Sequence, residues 1–257
     1  MQHLQTIFED LGGHFATPAP ELASKLSCVK ALVFDWDGVF NDGVKNEAGS
    51  STFSEVDSMG TNLLRFGLWL QQGHLPAAAI ITGVHNGLAL ELVNREHFQA
   101  GYVQAKHKVA VLEHFMNQHG LHPAEVAFFF DDALDLSVAA VVGVRILVKR
   151  SANPLFTKYV LQNGLADYVT GHESGRFAVR EGCELLLGLL GRYDEVMAER
   201  LRYFPVYDQY YAARQAVVPQ LWRIDGGVIN PYLAEKAVEQ ATKNADVPPN
   251  SAFPNPP

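Results

Sequence analysis

The chain is predicted to be an α/β protein with a Rossmann-like, mostly parallel sheet and helices on both faces. Three observations predict it. Short, continuously apolar runs alternate with amphipathic stretches between about residues 30 and 190. The runs lack the apolar–polar alternation of a half-solvated sheet, so both faces are expected to be covered. Three of the runs stop at polar residues, Asp35, Thr82 and Asp131, and parallel sheets bind ligands at the carboxyl ends of their strands.

Residues 1–29 read as an N-terminal arm with some helix. A core over 30–190 follows. Its expected strands are Ala31–Phe34, Ala77–Ile81, Gly101–Val103, Val126–Phe130, Val144–Val148 and Tyr168–Val169. Between them, Leu63, Leu64 and Leu68 share one helical face, as do Leu88, Leu92 and Val93, and again Val111, Leu112 and Phe115. In residues 43–54 the turn signal Glu47-Ala48-Gly49-Ser50 lies between Val44 and Thr52-Phe53, which predicts a β-hairpin flap beside Asp37. About 45 residues separate Asp37 from Thr82 and about 25 separate Thr82 from Lys108. Neither insert is long enough for a cap domain. Residues 191–257 read as a helical C-terminal extension, rich in tyrosine over 193–211, where packing is the expected role. Its end, Val247–Pro257, carries five prolines and reads as disordered. There is no internal repeat.

Composition narrows the function. With 48% hydrophobic and 19% charged residues, the chain has an ordinary globular balance. A net charge of −8 speaks against a nucleic-acid surface. Cys28 and Cys183 match no metal spacing and no disulfide framework, which fits a reducing cytoplasm. The N-terminus lacks a basic start followed by an apolar core, and no apolar run approaches the ~20 residues of a membrane span.

The stretch KALVFDWDGVFNDG carries the most chemistry. Asp35 and Asp37 stand at the end of a buried strand, where charge is costly unless something uses it. A divalent cation and a phosphoryl group would. A calcium loop is excluded, because Val39 and Phe40 occupy the positions where an oxygen ligand and a glycine are required. Glycosyltransferases also use two acids at this spacing, as a metal clamp in a nucleotide-sugar site; Thr82 and Asp131 at the other strand ends strengthen the functional reading of the pair here. A carboxylate can attack phosphorus, and a second can protonate the leaving oxygen and then deprotonate a water. Mg²⁺ would let anion approach anion. Thr82 and Gly83 offer a hydroxyl and a backbone N–H, and Lys108, with Lys106 upstream, opens a helix. Asp131, Asp132 and Asp135 follow Phe128–Phe130, Asp132 in a position that also suits plain helix capping. The histidines at 85, 97, 114, 119 and 122 show no ligand pairing.

In this order the parts resemble the haloacid dehalogenase superfamily of phosphohydrolases. DWDGVFNDG, FSEVDSMGTNLL and GHESGRFAVREGCELLL further resemble the 3-deoxy-D-manno-octulosonate 8-phosphate phosphatase subfamily, over residues 30–190. The resemblance implies that Asp35 is the nucleophile and Asp37 the general acid/base. It implies Mg²⁺ held by Asp35, the Asp37 carbonyl and Asp131, with Asp132 and Asp135 in support. Thr82, Gly83 and Lys108 would then hold the phosphoryl group, and Arg180 would touch substrate or a neighbouring subunit. It also implies a capless homotetramer. The chain departs from the subfamily pattern at Asn41, Val56, Ser58, Val84, Phe130 and Phe177. Val56 and Val84 replace arginines that suit an anionic sugar acid. A sialic-acid-type 9-phosphate or broad-specificity phosphatase, and a non-catalytic assembly or regulatory domain of this fold, are the competing expectations.

Overall fold

The apolar runs build the middle of one sheet, and the order in which they join it creates the site. The computed structural model describes residues 2–232; the proline-rich end at 247–257 lies outside them. In chain order the strands are β1 (His14–Phe15), β2 (Ala31–Phe34), β3 (Ala77–Ile81), β4 (Ala100–Val103), β5 (Val126–Phe130), β6 (Val144–Lys149), β7 (Tyr168–Glu173), β8 (Gln220–Asp225) and β9 (Val228–Pro231). The helices are α1 (Gln2–Asp10), α2 (Ala19–Leu26), α3 (Glu55–Gln72), α4 (Gly87–Arg95), α5 (Lys108–His119), α6 (Leu136–Ala139), α7 (Pro154–Gln162), α8 (Ala178–Leu189), α9 (Tyr193–Arg202) and α10 (Val206–Gln215).

The sheet order is β1-β7-β6-β5-β2-β3-β4-β8-β9. β7 through β8 are parallel, and only the edge strands β1 and β9 run antiparallel. From β2 the chain steps outward through β3 to β4, then returns to β5 on the other side of β2. With right-handed crossovers, that reversal sends helices to opposite faces and opens a crevice at the carboxyl ends of β2 and β5. Side-chain parity agrees. Leu32, Phe34, Ala78, Ile80, Ala127 and Phe129 pack with α3 and α8 on one face. Ala31, Val33, Ala79, Phe128 and Phe130 pack with α5 on the other.

The expected core strands all form, three of them longer than their apolar runs. The hairpin flap does not. Residues 43–54 contain no strand. Their turn is closed instead by the Asn46 side chain, whose Oδ1 accepts from the Ala48 and Ser50 N–H groups, and by Asn46 N donating to Ser50 O at 2.8 Å. Lys45 and Ser51, which would have extended the ladder, are drawn aside to Asp37. In the extension, the tyrosines of α10 pack on α3: Tyr207 and Tyr210 are buried and meet Phe66 at 5.2 and 5.0 Å. Beyond α10, β8 and β9 add two strands beside β4, although the extension is expected to be helical. β8 is only partly buried, with Leu221 packing on one face of the sheet and Trp222 and Ile224 on the other.

The N-terminal arm is fastened by one acid. Asp167, fully buried, accepts from Thr17 Oγ1 (2.7 Å), Lys25 Nζ (2.7 Å) and the Arg145 N, Nε and Nη2 groups (2.8–2.9 Å). Burial opposes its charge, but the bonds from Arg145, Lys25 and Thr17 outweigh it and hold the carboxyl below 3.8. A depressed acid stabilises the fold above its unfolded pKa and ceases to as pH falls through its folded one. Asp167→Ala strands two cations and is expected to cost about 3 kcal/mol in urea unfolding at pH 7. The difference from wild type should shrink as the pH drops below about 4.

Candidate active site

Phe34 is the last residue of β2, and the chain leaves the sheet through Asp35, whose N–H donates to Phe129 O at 3.0 Å. Trp36, Val39 and Phe40 are buried and anchor the following loop, with Trp36 and Phe40 stacked at 5.1 Å. Gly38 makes the turn at φ +87°. A Cβ there would lie 2.0 Å from Asp131 Oδ2, so only glycine fits. Asn41, which replaces a hydroxyl residue, is buried. It donates to Trp36 O at 3.3 Å and accepts from Gly43 N at 2.9 Å, so it serves the loop's own shape.

Four strand ends then converge. β2 supplies Asp35, β5 supplies Asp131 and Asp135, β3 supplies Thr82, and the loop after β4 supplies Lys108, the first residue of α5. Oxygens of Asp35, Asp131 and Asp135 lie within 4.8 Å of one another, and all three residues are buried. Lys108, 2% exposed, donates to Asp35 Oδ1 at 2.5 Å and to Asp135 Oδ1. Arg150, just past β6, donates to Asp131 Oδ2 at 2.6 Å. Three carboxylates thus face two cations. Burial, with the Asp35 charge second, pushes the Asp131 and Asp135 carboxyls well above the ordinary range. Burial would lower Lys108, but the charges of Asp35 and Asp135 prevail and raise it.

Two polar atoms here have no use within the described residues. Thr82 Oγ1 and Asp131 Oδ1 are buried without a hydrogen-bond partner. Leaving such a group unsatisfied costs about 1–3 kcal/mol. The donor set is all oxygen and anionic, and suits a hard divalent cation such as Mg²⁺.

The other expected residues divide. Asp37 does not join the carboxylate cluster; its oxygens are held by Lys45 Nζ and Ser51 Oγ. Ser51 in turn accepts from Trp36 Nε1 at 3.2 Å and Asn86 Nδ2 at 2.8 Å. Asp132 caps the turn after β5, accepting from Ala133 N at 2.6 Å. The Arg180 side chain pairs with Glu184 on its own helix at 3.0 Å, while its N–H donates to Asp57 Oδ1 at 2.9 Å. Glu181 accepts from Tyr168 Oη and Gly171 N, both at 2.7 Å. Phe177 adopts φ +68° at the start of α8, a left-handed value that favours glycine. Phe130 stacks on Phe128 at 5.6 Å within the core, away from the loop.

Lys45, Ser51 and Arg150 were not anticipated. Arg150 had a usable signal, since it follows β6, the strand beside β5. Lys45 and Ser51 had none beyond belonging to a polar loop after Asp37.

Comparison with known proteins places this geometry. No protein-family model matches the chain. The chain is 29% identical over 187 residues to the 3-deoxy-D-manno-octulosonate 8-phosphate phosphatase of Salmonella typhimurium, covering 71% of this chain and 92% of that one. Its likeness to the Escherichia coli K12 phosphatase of the same name is also 29%, over 185 residues, with 70% and 91% covered. Among solved structures, a hydrolase of subfamily III A of the haloacid dehalogenase superfamily from Legionella pneumophila matches with TM-score 0.59 at 28% identity, covering 71% of this chain and 94% of that one. The 3-deoxy-D-manno-octulosonate 8-phosphate phosphatase of Moraxella catarrhalis, solved with magnesium, phosphate and the sugar acid, matches with TM-score 0.58 at 25% identity, over 69% and 97%. Each match takes in most of the other protein and leaves a sizeable part of this chain unmatched.

The crowded carboxylates predict an inverted pH dependence of stability in chelator. Acids raised above 3.8 in the folded state favour folding when protonated, so stability from this site falls as pH rises from about 4 through neutrality. Asp131→Asn is expected to stabilise the metal-free protein by on the order of 1 kcal/mol at pH 8 and by less at pH 5, read by thermal unfolding. An equal effect at both values would contradict it.

Proposed function

We propose that this chain, which has the fold and motif order of the haloacid dehalogenase superfamily, is a Mg²⁺-dependent phosphomonoesterase. Its substrate is a small phosphorylated sugar or sugar acid, of the 3-deoxy-D-manno-octulosonate 8-phosphate type. One observation carries the reading. The Asp35 carboxylate is buried at a strand end and gripped by Lys108, and two buried polar atoms at the ends of the adjacent strands β3 and β5, Thr82 Oγ1 and Asp131 Oδ1, lack partners.

Asp35, Asp131 and the Asp37 carbonyl would hold the cation, with Asp135 and Asp132 behind them. The residues fit it: Asp131 keeps Oδ1 free, while Arg150 holds Oδ2 and Gly38 leaves room for that pair. Bound there, Mg²⁺ offsets negative charge so that a carboxylate can approach a phosphate. Asp35 attacks phosphorus and forms an aspartyl-phosphate, while Asp37 protonates the departing alcohol. Asp37 then takes a proton from the water that hydrolyses the intermediate, releasing inorganic phosphate and freeing Asp35. Thr82, Gly83 and Lys108 hold the phosphoryl oxygens throughout, and charge-assisted bonds of this kind are the strong ones. Lys45 and Ser51 fix the Asp37 carboxylate in place.

A second reading, the same chemistry on another phosphate ester, draws on Val56 and Val84. They present exposed apolar surface where the subfamily pattern has arginine. The proposal also includes the homotetramer, with neighbours closing a capless site.

Phosphate release over a panel of sugar phosphates, with and without Mg²⁺, tests the activity. Turnover is expected only with the metal, and folded protein inactive on every ester would refute the reading. Asp35→Asn should lower kcat by ~10³-fold or more; native-rate turnover would remove Asp35 as nucleophile. Sedimentation at micromolar concentration should give four chains, and a monomer would count against the assembly.

A further inference from the structure

Beside the carboxylate cluster lies a second recess. The loops after β3 and β4 and the β8–β9 turn enclose about 590 Å³. It is contiguous with the site along the chain: Gly83 and Val84 follow Thr82, and Lys106 and His107 precede Lys108. The two loops are tied to each other by Ala105 N donating to Thr82 O at 2.9 Å. The recess is thus lined by the residues that adjoin Thr82 and Lys108 in the same two loops.

The far wall comes from the C-terminal extension. β8 runs parallel to β4, with Gly101 opposite Leu221 and Val103 opposite Arg223. Its carboxyl end therefore emerges on the same edge of the sheet as those of β2, β3 and β5. A two-residue turn, Gly226-Gly227, both at positive φ, reverses the chain at that edge, as a tight hairpin demands. Tyr232 Oη meets His85 Nε2 at 2.9 Å and so ties the end of the hairpin to the loop after β3. The motifs that resemble known phosphatases all lie within residues 30–190, and the hairpin lies outside that span.

Covering the edge of β4 would by itself account for an added strand. It would not account for the recess chemistry. Gln104 holds φ +61°, a strained value for a non-glycine residue that tends to accompany function. Its Oε1 is buried without a partner. Lys106 is exposed and makes no ion pair among the described residues. Asp225, across the recess, is already neutralised by Arg223 at 2.7 Å. The balance is one free cation, one orphaned acceptor and two imidazoles.

We propose that the β8–β9 hairpin and the loop Gln104–His107 form a leaving-group pocket for a hydroxylated organic anion. In it Lys106 meets the anionic group and Gln104 Oε1 accepts from a hydroxyl. The pocket deepens the phosphatase reading and rests on it. It supplies within one chain a cation in place of the arginine absent at Val84, and it makes Lys106 and Gln104 specificity residues, distinct from Lys108.

Full-length wild type, Lys106→Ala and Gln104→Leu are assayed with Mg²⁺ on 3-deoxy-D-manno-octulosonate 8-phosphate and on para-nitrophenyl phosphate, whose leaving group is neither anionic nor sugar-like. Each variant is expected to lose at least tenfold more kcat/KM on the sugar-acid ester than on the aryl ester, mostly through KM. Equal losses on both esters, or wild-type activity on the aryl ester alone, would overturn the pocket. If wild type hydrolyses neither ester, the phosphatase reading fails, and calorimetric titration with the free sugar acid decides the pocket. Binding weakened by Lys106→Ala upholds it; no binding to wild type refutes it.

Discussion

The ammonium of Lys108, buried between the carboxylates of Asp35 and Asp135, is the interaction around which the rest is arranged. Three acids within 4.8 Å repel one another, and a cation among them offsets that repulsion where β2 and β5 end side by side. Lys108 is the first residue of α5, so the register of that helix against the sheet is tied to the acids. The loop before it is tied to Thr82. One ion cluster thereby couples three crossovers.

That cluster is not neutral, and its incompleteness is informative. Removing charges from water is rarely repaid by their mutual attraction alone. Here three carboxyls share two cations, two of them held well above the ordinary carboxylate range by burial and by the Asp35 charge, and two neighbouring polar atoms have no bond to make. A purely structural ion pair would have been closed more fully, as Asp167 is by Thr17, Lys25 and Arg145. The contrast between the two buried acids, one fully bonded and one crowded, separates a clamp from a binding site.

The extension changes how such a site is walled. β8 continues the parallel sheet past β4, and parallel strands share a carboxyl edge, so the turn after β8 arrives beside the site through topology alone. Short inserts after Asp37 and Thr82 leave no room for a cap. The loop at 43–54 spends its polar groups on Asp37 and on its own Asn46 turn, and forms no ladder. The turn signal at Glu47–Ser50 suggested a hairpin, but a hairpin of this length is marginal without a packed face, and Lys45 and Ser51 found a stronger partner in a carboxylate.

The sequence by itself determined the sheet, its burial on two faces and the strand ends that carry Asp35, Thr82 and Asp131. Those features are local: a continuous apolar run, its length and the polar residue that stops it are readable within a few positions. Lys108 and Asp135 were readable as well, though only as residues near helix starts. Tertiary structure alone decided which of them share a charge, because that depends on β5 returning to the side of β2 opposite β3. It decided that Asp37 is held by Lys45 and Ser51, that Arg150 attends Asp131, that Arg180 turns to Glu184, and that Tyr232 reaches His85 across 147 positions of chain. Such partners are chosen by proximity between distant segments, and no spacing or periodicity within either segment encodes it.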